Sequence, residues 1–126
     1  MIDAAKSAGI RRVLLVTVIG AGDSIDAAPL PSRRFLAEVI ELKTRAENHL
    51  RASGLDYTII RPGGLTDGAP SGEAFLADDP ATFSFIARAD LAKLVADSLG
   101  DPATIGKTYS AYDPSRKTMA TMFRDR

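Results

Sequence analysis

The stretch DYTIIRPGGL, residues 56–65, decides the fold of this chain. It begins as a continuous run of β-branched and aromatic residues, which is typical of a strand buried on both faces. The run ends in Pro62-Gly63-Gly64, where the chain is expected to leave the sheet in a loop. In open α/β sheets, ligands bind in the crevice beyond the carboxyl ends of the strands. The loop after this strand is therefore a candidate binding site.

A second apolar run and a long helical pattern precede this strand. The run VLLVTVI at residues 13–19 predicts another buried strand, closed by Gly20. Residues 32–53 predict an amphipathic helix with Ser32 as its N-cap and Gly54 just after its end. The stripe that we expect to face the sheet comprises Phe35, Val39, Ala46 and Leu50. Strand, helix and strand at this spacing predict a parallel βαβ unit, in which both strand ends reach the same edge.

The rest of the chain adds weaker elements around this unit. A short helix is expected at residues 2–8 and another helix at residues 88–99. Residues 62–82 predict a long irregular segment, and the alternating pattern at residues 108–112 predicts a last strand at the edge of the sheet. The pattern predicts an α/β fold with a parallel sheet of about three strands and flanking helices.

Composition excludes several classes of function. The 126 residues carry 16 acidic and 16 basic side chains, so neither nucleic acid nor an anionic membrane surface is an expected partner. There is no cysteine, which removes disulfides, thiolate catalysis and the usual zinc sites. No apolar run approaches the roughly 18 residues that span a bilayer, and the first residues do not have the layout of a signal peptide. We expect a cytoplasmic protein.

Lys43 is the side chain that stands out on the long helix. It lies four residues after Val39 on the expected buried stripe, so its ammonium group either extends to the rim with a covered stem or binds a ligand. Periodicity alone leaves both open. Glu47 and Arg51 form an i,i+4 pair that we expect on a more exposed side. His49 has no second histidine to complete a metal site, so we expect it at the surface.

Two glycine patterns resemble phosphate-binding loops only in part. Residues 20–25 lack the third glycine of a dinucleotide loop, and residues 100–108 have the wrong spacing and lie between a helix and a strand. Both predict ordinary turns. No strand followed by a glycine-rich phosphate loop occurs in the sequence, which therefore looks like the second half of a nucleotide-binding domain.

Taken together, several segments resemble one known family. The segments are residues 2–17, residues 43–47, residues 53–63, residues 85–92 and residues 106–109. They are similar to the atypical short-chain dehydrogenases/reductases of the NmrA-like or NAD(P)H-binding type, and the resemblance covers nearly the whole chain. It implies a partial Rossmann-like, three-layer fold that lacks the N-terminal glycine-loop half. This domain would span residues 1–113, followed by a flexible tail at residues 114–126.

The resemblance also implies a cofactor, NAD or NADP, and the residues that would bind it. By resemblance, Lys43 contacts the nicotinamide ribose. The segment that would lie beside the nicotinamide comprises Thr17, Val18, Ile19 and Gly20. The loop that would close over the same end comprises Arg61, Pro62, Gly63 and Gly64. Val39 stands where catalytic members carry tyrosine, and Val18 where many carry serine. Valine cannot donate a proton, so no catalytic residue is assigned.

The missing half leads to further expectations. Without it, residues 13–19 would present an apolar strand edge, which is a template for association. We expect a homodimer, or pairing with a separately encoded first half, and weak cofactor affinity without a pyrophosphate-binding helix N-terminus. A gene model that starts at an internal methionine is an equal explanation. Three functions remain open: an oxidoreductase acting on a small substrate, a non-catalytic NAD(P)-sensing or protein-interaction module, and a remnant without ligand.

Overall fold

A computed structural model describes residues 1–117, apart from the side chain of Ser32. Most of the tail predicted at residues 114–126 lies outside the described residues, and the domain boundary stays a prediction. The elements are α1 (Ile2–Ser7), β1 (Arg12–Val16), α2 (Leu30–Phe35), α3 (Ala37–Arg51), β2 (Asp56–Pro62), β3 (Gly64–Thr66), β4 (Phe75–Ala77), β5 (Phe85–Ala87), α4 (Arg88–Leu99) and β6 (Lys107–Tyr112). Short 3₁₀ helices cover Gly22–Ala27 and Pro102–Thr104.

The main sheet has the strand order β1-β2-β6-β4. Strands β1, β2 and β6 are parallel, and β4 is antiparallel to β6. A separate parallel pair joins β3 to β5. The α/β fold and the predicted parallel sheet of about three strands are therefore confirmed.

The prediction of an irregular segment at residues 62–82 was wrong in part. Strands β3 and β4 both fall within it, and each has only three residues, too few for a periodic pattern to be recognised. Because β4 pairs with β6, the last strand lies inside the sheet and not at its edge, contrary to the sequence prediction.

The core lies on both faces of β2. Neighbouring residues of a strand point to opposite faces of the sheet. Accordingly, Ile59 packs in one cluster with Val13 and Leu50, while Ile60 packs in another with Ile86, and both isoleucines are 0% exposed. The prediction that this strand is buried on both faces is confirmed.

The region between β1 and β2 contains two helices and not the single helix that the sequence predicts. Helix α2 begins at Leu30, two residues before Ser32, so Ser32 is not the N-cap. The helix is interrupted at Leu36, whose φ of −110° and ψ of 18° are outside the helical range. Beyond this break α3 runs to Arg51.

The break changes which residues face the sheet. Leu50 is buried as predicted, but Phe35 is 92% exposed and Val39 is 41% exposed, so these two do not belong to the inward stripe. That stripe contains Ile40 and Glu47 along with Leu50. A carboxylate occupies an inward position because a buried cation meets it there, which apolar periodicity cannot reveal.

Candidate functional site

The carboxyl ends of β1 and β2 lie side by side, which brings the two predicted site segments together. Beyond the last residue of β1, the Thr17 amide donates to the Ile60 carbonyl at 2.9 Å and the Ile19 amide donates to the Pro62 carbonyl at 2.8 Å. Strand β1 therefore ends at Val16, earlier than predicted, but residues 17–19 stay hydrogen-bonded alongside β2.

A groove of about 530 Å³ opens between these two segments. Val18 and Ile19 line one side of it, and Gly63 and Gly64 the other. Phe83, Phe85, apolar residues of the 28–36 region and Lys117 complete the lining. The groove is the place where the structure gathers four of the nine predicted cofactor-binding residues.

The two glycines of the loop are needed for packing against the next strand. A Cβ on Gly63 would clash with the backbone oxygen of Ser84 and lie 3.0 Å from the Phe83 ring, and a Cβ on Gly64 would clash with the Phe85 ring. Residue pair 63–64 therefore lies directly against β5 and the residues before it. The Pro-Gly-Gly pattern reflects this close approach.

Arg61 lies in a buried polar network on the α3 side of the sheet and not in the groove. Glu47 is 0% exposed and accepts hydrogen bonds from Arg61 Nε at 2.9 Å, Arg61 Nη2 at 2.8 Å and Thr17 Oγ1 at 2.7 Å. A further bond to Glu47 comes from Arg51 Nη2 at 3.3 Å, and Arg61 Nη1 also donates to Asp23 at 2.6 Å. Burial would lower the pKa of Arg61, but its bonds to Glu47 and Asp23 outweigh burial and raise that pKa above its ordinary value.

The expectation that Glu47 lies on an exposed side of the helix was therefore wrong. One sequence signal could have revealed the network: Arg61 interrupts an apolar run that is buried on both faces, and a buried guanidinium requires a carboxylate. Its partner lies fourteen residues earlier in the chain.

Lys43 lies half-buried on α3, next to the loop that follows β1. Its helical neighbours contact that loop: a Cβ on Gly20 would lie 3.1 Å from Ile40 Cδ1, and Thr44 Oγ1 accepts a hydrogen bond from the Gly22 amide at 3.0 Å. Lys43 does not line the groove, and no hydrogen bond or ion pair engages it within residues 1–117. Its ammonium group is thus available to a ligand, but no contact joins it to residues 61–64.

The groove suits the nicotinamide end of a dinucleotide, whereas the glycines of residues 20–25 do not offer a site for its pyrophosphate. The groove offers apolar side chains and glycine backbone, which suit a flat ring. The amide of Gly20 already donates to Ser24 Oγ at 2.9 Å, and the amide of Gly22 is engaged by Thr44. Residues 20–25 therefore form a closed turn, as predicted, and offer neither glycine amide to a phosphate.

The structure also bears on His49, on metal binding and on membrane-spanning helices. His49 is exposed and its ring lies 2.8 Å from Asp3 Oδ1, consistent with the expected surface position. Residues 1–117 contain no group of three or more metal-ligating side chains that could hold a metal ion. Over the same residues, no helix is both long enough and apolar enough to cross a membrane.

Comparison of the sequence with known proteins places the chain in a family. The model of a family described as NAD(P)H-binding matches residues 1–102. The sugar epimerase YhfK of Bacillus subtilis (strain 168), itself uncharacterized, is 36% identical over 108 residues, which are 86% of this chain and 48% of YhfK. Sanguinarine reductase of Eschscholzia californica is 35% identical over 103 residues, 78% of this chain and 37% of that protein.

A solved structure is also similar to this chain. ChuY, an anaerobillin reductase from Escherichia coli O157:H7, superposes with a TM-score of 0.87 at 38% identity, over 93% of this chain and 57% of the ChuY chain. The chain thus spans between about a third and three fifths of the length of these three proteins. The family match, together with paired strand ends around an apolar groove, confirms the expected resemblance: the chain belongs to the NAD(P)H-binding family.

Proposed function

We propose that this chain supplies the nicotinamide side of an NAD(P)H-dependent reductase acting on a small substrate. The observation that carries the proposal is the apolar groove at the carboxyl ends of β1 and β2, lined by Val18, Ile19, Gly63 and Gly64. Ligands of open α/β sheets bind at such strand ends. Sanguinarine reductase and ChuY, both reductases by name, support this class of reaction.

In this proposal Lys43 binds the nicotinamide ribose. Its ammonium group has no ion-pair or hydrogen-bond partner among residues 1–117, and it sits on the helical turn that packs against the loop after β1. Bound NAD(P)H would supply a hydride. The chain's own residues would hold the ring in the groove, exclude water with apolar walls and keep Thr17 fixed against Glu47.

The proton chemistry of the site limits the substrate. The hydroxyl of Thr17 already donates to Glu47, and Val39 has no proton to give. Within residues 1–117, no side chain that lines the groove carries a carboxyl or hydroxyl group, and the ammonium group of Lys117 lies at the rim. We therefore propose an acceptor that tolerates hydride addition without a buried protein acid, with any balancing proton coming from solvent.

A non-catalytic NAD(P)-sensing role is the second candidate. It is favoured by one observation, that Val39 stands where catalytic members of the resembling family carry tyrosine. Such a protein would bind the dinucleotide through Lys43 and turn nothing over.

A titration of NADPH fluorescence tests both candidates. The variants are Lys43→Ala and, as a matched control, Lys93→Ala, whose ammonium pairs with Asp97 at 2.8 Å on the exposed face of α4. The reductase is supported if Lys43→Ala weakens NADPH binding, Lys93→Ala does not, and an acceptor is turned over. Binding with the same lysine dependence but no turnover supports the sensor. If the chain does not bind NADPH, both are wrong for this chain and the remnant without ligand remains.

The free edge of β1 is a proposed contact with a second polypeptide. In the described sheet β1 pairs with β2 alone, and Phe35 at the end of α2 forms an exposed apolar stripe with Val39 and Leu42 of α3. We propose a homodimer, with a separately encoded first half as the alternative occupant. Size-exclusion chromatography with light scattering measures the mass of the chain alone and after mixing with a first half. A chain that stays monomeric in both cases would contradict both alternatives.

A further inference from the structure

Among the described residues 1–117, the groove at the strand ends has a single charged lining residue. Ten of its eleven lining residues are apolar or glycine, and the eleventh is Lys117. A ligand that fills such a groove must therefore present mostly apolar surface. If it carries a charge, that charge is best placed at one end and negative, because the one ionic partner available is an ammonium group.

Aromatic rings form a rigid wall of the groove. The rings of Phe83 and Phe85 meet edge to face, with centroids 5.6 Å apart and planes inclined by 80°. The backbone of Gly63 and Gly64 lies directly against these rings, so neither ring can move toward the loop. Rings held in this way offer a preformed apolar surface to a flat molecule.

Lys117 is held beside this wall by its neighbours. The Phe85 amide donates to the Arg116 carbonyl at 2.8 Å, which fixes the backbone just before Lys117. The Lys117 Nζ lies 5.9 Å from the centroid of the Tyr112 ring. Within residues 1–117 no carboxylate forms an ion pair with Lys117, so its charge is not neutralised by that part of the chain.

We propose that the groove binds a flat, largely apolar ring system that bears one acidic group. The rings lie against Phe83 and Phe85, and the acidic group pairs with Lys117. This inference rests on the proposed function in one respect, since it assigns this molecule the role of the reduced substrate, which would share the groove with the nicotinamide ring. The binding itself requires no cofactor.

Two matched probes test the proposal on the whole 126-residue chain. 1-Anilinonaphthalene-8-sulfonate is a flat apolar anion, and N-phenyl-1-naphthylamine has the same rings without the sulfonate. We expect the anion to bind about three- to tenfold more tightly, as one charge-assisted contact allows. Fluorescence titration measures both affinities.

Four variants locate the bound probe. Lys117→Gln should remove the preference for the anion and leave the neutral probe unchanged, whereas Lys93→Gln should alter neither. Phe85→Leu should weaken both probes alike. Phe35→Ser removes the most exposed aromatic side chain outside the groove among residues 1–117 and should leave both affinities unchanged.

Any of three results overturns the proposal. The first is equal affinity for the two probes. The second is an anion preference that survives Lys117→Gln in a variant with an unchanged melting temperature. The third is loss of binding in Phe35→Ser, which would place the probe on the exposed stripe of α2 and α3. Because these titrations contain no NADPH, failure of the Lys43 test leaves this inference intact, and its own failure leaves the Lys43 test intact.

Discussion

Removing the carboxylate of Glu47 should be among the most costly single changes in this chain. Arg61 has a side chain that is 3% exposed, and Glu47→Ala would leave its guanidinium with Asp23 as its remaining carboxylate partner. Breaking a buried ion pair by deleting one partner costs about 3–5 kcal/mol when the other charge stays buried without compensation, and Asp23, whose side chain is 72% exposed, compensates the Arg61 charge only in part. For a chain of this size that corresponds to a fall in Tm of about 10–20 °C. A domain at the low end of the typical range of about 5–15 kcal/mol would then be close to unfolding at moderate temperature.

A double-mutant cycle with the single variants Glu47→Leu and Arg61→Met separates the pair from the cost of losing either side chain. We expect the double variant Glu47→Leu/Arg61→Met to recover most of the stability lost in either single variant, since an apolar pair of similar volume needs no buried charge. Urea unfolding followed by circular dichroism measures all four free energies.

The matched control is Glu41→Ala on the same helix. Its carboxylate pairs with Arg45 at 2.9 Å, but both side chains are largely exposed, so the loss should stay below about 1 kcal/mol. If Glu47→Ala costs no more than Glu41→Ala, or if the two single losses simply add in the double variant, the reasoning about a coupled buried pair is refuted.

Three further predictions concern packing, pH and the exposed stripe. Gly63→Ala should destabilise the fold by about 1–3 kcal/mol in urea unfolding because its Cβ meets a backbone oxygen, whereas Gly68→Ala, whose Cβ has its nearest neighbour at 4.0 Å, should change stability by less than about 1 kcal/mol. Burial would raise the pKa of Asp113, but hydrogen bonds led by that from Ser115 hold it below its ordinary value. The carboxylate therefore stabilises the fold above about pH 4 and loses this effect as the pH falls through the lowered pKa. Asp113→Asn should be clearly less stable than wild type at pH 7 and approach it below pH 4; a gap that stays constant with pH would contradict this. Phe35→Ser should shift any dimer seen by light scattering toward monomer, and an unchanged dimer would exclude this stripe from the contact.

The α/β architecture and the place of the groove could be predicted from the sequence because their causes are local. An apolar run such as that of β2 is stable only when covered on both faces, and Ile59 and Ile60 are buried on opposite sides as this requires. The Pro-Gly-Gly loop marks the strand end for the equally local reason that proline and glycine interrupt a sheet. Helix α4 was likewise predicted with the bounds that the structure has, residues 88–99.

Only the tertiary structure decided which face of α3 lies against the sheet, the interior position of β6 and the role of Arg61. Each depends on a partner distant in sequence: Glu47 is buried because Arg61 reaches it from β2, and β6 is interior because the three-residue strand β4 pairs with it. Periodicity reads one element at a time, so it assigned Phe35 and Val39 to the core and Glu47 to the surface. A charge can occupy an inward position, and an apolar stripe can stay outside, when the free energy of a long-range contact exceeds the local preference.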